Sequence, residues 1–177
     1  MIEHRLIERM IKLMDRELQK IKKEDKADAG FIDTVIDFIR IYADRCHHGK
    51  EEAILFRSLS EKKISAGHNK IMNELIEEHV AGRKTVKKLE EAKDAYLKGQ
   101  DGAVNSIIIN MEILVDFYPK HIEKEDKHFF IPSMDYFTDS EKDNMLKEMY
   151  EFDRNMIHER YRKVVEGREE KNNLTRP

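Results

Sequence analysis

Residues 47–56 read HHGKEEAILF, with two histidines each placed four positions before a glutamate: His47 with Glu51, and His48 with Glu52. Residues four apart share one face of an α-helix. Each pair can therefore offer an imidazole nitrogen and a carboxylate oxygen to a single metal ion. Residues 121–130 read HIEKEDKHFF and repeat the plan. His47 aligns with His121, Lys50 with Lys124, Glu51 with Glu125 and Phe56 with Phe130, at an offset of 74 residues. Two more histidines flanked by acid, His4 in IEHRLI and His79 in EEHVAG, stand 75 residues apart. The chain reads as two helix hairpins of one design, each with a lone histidine on its first helix and His-x-x-x-Glu on its second.

Four imidazoles and two carboxylates suit iron, and also manganese or zinc, better than magnesium or calcium. A carboxylate buried in a helical core is costly unless it is paired or binds a metal. Two such carboxylates can each bridge a pair of cations about 3.5–4 Å apart. Six ligands leave open positions on two ions, and a small molecule would enter there. The ordinary α-helical turn of about 100° per residue selects the inward pair. His47 falls at the margin of the apolar stripe and His48 nearly opposite it, so His47 and Glu51 are expected inside, His48 and Glu52 in solvent. On the second copy, His121 and Glu125 flank the line through Leu114 and Tyr118. The candidate metal ligands are His4, His47, Glu51, His79, His121 and Glu125. A ferritin-like carboxylate site needs paired Glu-x-x-His motifs, and only Glu125 with His128 fits that spacing.

Long helices must position these groups. The chain has 177 residues with only 7 Gly and 3 Pro, and apolar spacing of helical period runs throughout. The runs cover about 2–24, 31–59, 69–98, 103–130 and 139–167. GQDG at 99–102 marks a turn, Pro119 is expected to kink the fourth helix, and Pro132 to close it. Thr138 with Glu141 predicts a capping box opening the fifth. Short connections predict an all-α, up-down-up-down four-helix bundle with an additional C-terminal fifth helix. One domain is expected over 1–168, with its core bundle at about 2–131, followed by a polar tail at 169–177. Apolar residues make up 40% and charged residues 39%, with a net charge of −3 and both signs interspersed. That balance favours a soluble protein and argues against nucleic acid as a partner. No apolar run is long enough for a bilayer. The single cysteine, Cys46, excludes an intrachain disulfide and reads as a small buried hydrophobe. The cytoplasm is the expected location.

At these residues the sequence resembles the hemerythrin-like family, the HHE cation-binding domains, over about residues 2–131. The resemblance implies a non-heme diiron centre: two iron ions, replaceable by zinc or manganese, on His4, His47, Glu51, His79, His121 and Glu125. It implies a small-molecule partner (dioxygen, peroxide or nitric oxide) and a role in oxidative or nitrosative stress or iron homeostasis. Oxygen-carrying members have a further histidine four residues after the helix-three histidine. Here that position is Arg83, which favours the four-histidine arrangement, a labile position on one iron, and reaction over reversible storage. Those members also place an aspartate five residues after the helix-four histidine. Asp126 fits that pattern, whereas the internal repeat favours Glu125. No side chain stands out as a general acid or base. The alternative function is an iron- or oxygen-responsive sensor or interaction module.

Overall fold

The computed structural model describes the backbone of residues 2–174 and the side chains of residues 2–156. Two compact units emerge, Met1–Phe137 and Thr138–Pro177. The described residues form five helices and no strand. No helix among them is long and apolar enough to cross a membrane.

In the first unit, helix α1 spans Ile2–Glu24 and buries His4, Ile7, Ile11, Met14, Leu18 and Ile21 on one stripe. It stops where Asp25 takes a left-handed backbone, φ 50°, a conformation that ends helices. Helix α2 spans residues 29–60. Asp28 caps it, its side chain accepting from the Phe31 N–H at 3.0 Å. Helix α2 begins as an ordinary α-helix and then widens to π-helix over Ile39–His48 and again over Glu51–Phe56. Helix α3 spans Ala66–Leu97 and is capped by Ser65, which accepts from the His68 N–H. Gly99 and Gly102 both have positive φ, 68° and 75°, so the GQDG turn uses the conformational freedom that glycine alone has. Helix α4 spans residues 103–133. It continues through Pro119, which lies exposed, and it widens to π-helix over Glu125–Phe129.

Four pairs of helices pack together: α1 with α4, α3 with α4, α2 with α3, and α1 with α2. Their apolar faces merge into one core that includes Ile7, Met14, Ile32, Leu89, Ile107 and Leu114. The four sequence-based helices thus appear with ends shifted by a few residues. The widened turns of α2 and α4 were not expected.

In the second unit, helix α5 spans Asp139–Leu174, past the end expected near 167. The capping box is present: Thr138 N–H donates to Glu141 Oε2 at 2.8 Å, and Glu141 N–H donates to Thr138 Oγ1 at 3.3 Å. His158 and the tail side chains at 169–177 lie outside the described residues.

Candidate metal centre

Every helix of the first unit contributes to one polar cluster buried within the apolar core. α1 brings Glu3 and His4 in its first turn, and α2 brings His47, His48, Glu51 and Glu52. α3 brings Glu78 and His79, and α4 brings His121, Glu125 and Asp126. His4, His47, His79, His121, Glu51 and Glu125 are all buried, and His4, His79 and Glu125 have no exposed surface at all.

Each of the four histidines has a carboxylate behind it. His4 Nδ1–H donates to Asp126 at 2.9 Å and His47 Nδ1–H to Glu3 at 2.9 Å. His79 Nδ1–H donates to Glu52 at 2.7 Å and His121 Nδ1–H to Glu78 at 2.7 Å. An ionised carboxylate only accepts, so Nδ1 carries a proton and Nε2 faces inward, where a neutral ring offers its lone pair. Such pairs fix the tautomer and orientation of metal-binding histidines. Lys50 bonds Glu3, and Lys124 bonds Glu78. Burial alone would raise the Glu3 carboxyl, but hydrogen bonds from His47 and Lys50 hold it down at about 2.

The inner face has a definite geometry. Glu51 places one oxygen 3.2 Å from His47 Nε2 and the other 3.4 Å from His79 Nε2. Glu125 places one oxygen 3.2 Å from His4 Nε2 and the other 3.1 Å from His121 Nε2. None of these four oxygens has a well-aligned donor, nor do His79 Nε2 and His121 Nε2. His4 Nε2 and His47 Nε2 lie 2.8 Å apart; with both rings neutral and protonated on Nδ1, lone pair faces lone pair. Two imidazole nitrogens on one ion at about 2.1 Å and at right angles would sit about 3 Å apart. A cation therefore fits here and resolves contacts that protein atoms alone leave repulsive. The carboxylates show the same need. Burial and the neighbouring Glu125 charge push Glu51 well up. Glu125, which burial alone would raise, is held well down by the surrounding imidazoles of His121, His4 and His79. Two buried carboxylates this close cannot both ionise without positive charge between them. Two groups can hold an ion: His4, His47, Glu51 and Glu125, and beside them His48, His79 and His121.

The family model of the hemerythrin HHE cation-binding domain matches residues 1–131. The chain belongs to this family. No curated relative and no solved structure matches it. Membership in this HHE family carries metal-ion binding with it, and the two His/Glu groups are where an ion would sit.

Two expectations need correction. His48 is not in solvent; it is 3% exposed and its ring stacks on His79 with centroids 3.9 Å apart. The expectation assumed α-helical turns, but residues 39–48 are π-helical, and i→i+5 turns bring His48 under Ala43. Glu52 is only partly exposed, and it accepts from both His79 and Arg83. Of the two carboxylates left open on α4, Glu125 faces inward while Asp126 stands behind His4 and bonds Arg5. Arg83 points its guanidinium at two carboxylates, Asp44 Oδ1 at 2.7 Å and Glu52 Oε1 at 2.6 Å.

Sequence reasoning did not assign the backing role to Glu3, Glu78, Glu52 or Asp126, the last of which it held open as a ligand. The signal was present: Glu3 and Glu78 share the 75-residue offset, and Glu52 and Asp126 share the 74-residue one. The aromatic pair obeys it too, Phe130 stacking on His4 and Phe56 on His79. His128 is exposed, and His68 pairs with the Tyr136 hydroxyl at 2.8 Å. Cys46 is buried, its Sγ 3.9 Å from Glu3. A cavity of about 120 Å³ opens against the cluster, lined by His48, His79, Arg83, Val86 and Tyr118 among others. Burial, then the charges of Asp44 and Glu125, push the Tyr118 hydroxyl far up, so it stays protonated.

Proposed function

We propose that this chain holds two iron ions among its first four helices and uses them to bind or react with dioxygen, peroxide or nitric oxide. The observation that supports this most is that each central carboxylate reaches both histidine groups: Glu51 faces His47 and His79, and Glu125 faces His4 and His121. A single-ion site has no use for two carboxylates so placed. Bound iron would supply the redox change and the open coordination positions.

The chain's own residues do the rest. Glu3, Glu52, Glu78 and Asp126 hold the imidazoles in one tautomer. The cavity beside His79 admits a ligand of a few atoms, since a water needs about 10–15 Å³, and excludes bulky substrates. Tyr118 offers that cavity a protonated hydroxyl. The same reading takes the four helices as an up-down-up-down bundle, which the short connections and the four packed pairs support. It also takes the protein as cytoplasmic, with a role in oxidative or nitrosative stress or iron homeostasis.

The test is direct. Protein grown with iron should carry two metals per chain by elemental analysis. Reduced anaerobically and mixed in a stopped-flow spectrometer, it should change spectrum with at least one of the three ligands. One metal per chain, or no response to any ligand, would defeat the proposal.

A further inference from the structure

The cluster contains one histidine that the two-hairpin plan does not account for. His48 is as deeply buried as the four histidines around it, yet its place in the second copy, 74 residues on, is Ile122. A buried imidazole whose nitrogens lack partners is costly, and His48 Nδ1 has no aligned partner among the described residues. Stacking on His79 satisfies the ring face and not Nδ1.

We infer that His48 is a fifth imidazole ligand, completing the half-site formed by His79 and His121, so that the metal pair is unsymmetrical. This rests on the dinuclear reading above. Three observations carry it. A ring nitrogen of His48 lies within 4.8 Å of the ligand nitrogens of His79 and His121, a group of three that could hold one ion. His48 also repeats the arrangement of the other four, with a carboxylate behind it. Its Nδ1 faces Asp44 Oδ1 at 3.5 Å, which leaves Nε2 for a metal. Finally, that carboxylate is held in place. Arg83 Nε donates to Asp44 while Arg83 Nη2 donates to Glu52, the partner of His79. One guanidinium thus aligns the carboxylates behind two adjacent imidazoles. Arg83 is a positioning residue here, and it does not reach the ion. The π-helix of α2 makes the arrangement possible, because an α-helical turn would carry His48 away from a site that His47 already faces.

The experiment uses the unmutated chain with nitrogen-15 in its histidine rings, loaded with cadmium-113. Metal–nitrogen coupling in the NMR spectrum reports which imidazoles are bound. Two cadmium resonances are expected, with coupling at His4, His47, His79, His121 and His48, the last assigned by its loss in His48→Gln. Coupling at four histidines with His48 uncoupled overturns the inference and leaves the dinuclear reading intact. Fewer than two cadmium resonances overturns both. In the iron-loaded protein, His48→Gln should shift the spectrum of one iron and not the other, and added imidazole should restore it. An unchanged iron spectrum in a folded His48→Gln protein counts against His48 as a ligand.

Discussion

Glu51 and Glu52 are neighbours in the chain, but they act on opposite sides of the same imidazole. Glu51 faces His79 Nε2 and Glu52 accepts from His79 Nδ1. Glu51→Ala removes an oxygen from each half-site, so metal content should fall by at least one ion per chain. Glu52→Ala should keep both ions but weaken binding about 10–100-fold, the usual effect of losing a carboxylate behind a ligand. Competition with a chelator measures both, and equal losses would show that the two roles are not distinct. Protons give a second handle. Burial opposes it, yet the facing carboxylates of Glu125 and Glu78 raise His121 to about 9 in the metal-free protein. At pH 7 it therefore carries a proton that an ion must displace. Metal affinity should climb with pH and level off above about 9. Calorimetry in two buffers of different ionisation enthalpy should show proton release at pH 7; no release would contradict the assignment. The six candidate ligands, which the fold buries together, stood out in the sequence because histidine and glutamate recur at fixed offsets. His48 was not legible, because its facing depends on the width of the helical turn, which no residue type announces.

Among the elements, α2 departs furthest from regularity. Extended π-helix is rare and gathers at functional sites, and here it spans the segment that delivers His47, His48 and Glu51. Helix α4 widens over Glu125–Phe129, the second copy of the Glu51 turn, but has no counterpart to the widened Ile39–His48. The difference between the hairpins thus appears in backbone as well as in sequence. The start of α2 is separable from its end. Asp28→Ala removes the cap on the Phe31 N–H and should cost about 1 kcal/mol, read as a lower urea midpoint with metal content unchanged. Loss of metal in that variant would mean that the cap and the site are mechanically coupled. Helix existence was readable from period and from turn residues such as Gly99 and Gly102.

For the whole first unit, bound metal is expected to be part of the fold. Five buried histidines and two buried glutamates occupy space that other bundles fill with apolar side chains. Without ions they leave opposed lone pairs and orphaned oxygens in the core. Ion binding to the native state alone should stabilise it by about 4 kcal/mol when free metal exceeds its dissociation constant 1,000-fold. Thermal melts before and after chelation should differ accordingly, and identical melts would rule the ions out as structural partners. The repeat also carries a consequence for descent. Each half completes the other: Asp126 stands behind His4, while Glu52 stands behind His79. Two separate identical hairpins could meet in the same way, as a twofold dimer. Such a pair is bound by its symmetry, and whatever one half gains the other gains also. A single continuous chain is released from that rule. It can keep histidine at position 48 and isoleucine at 122, and so give its two halves different surroundings.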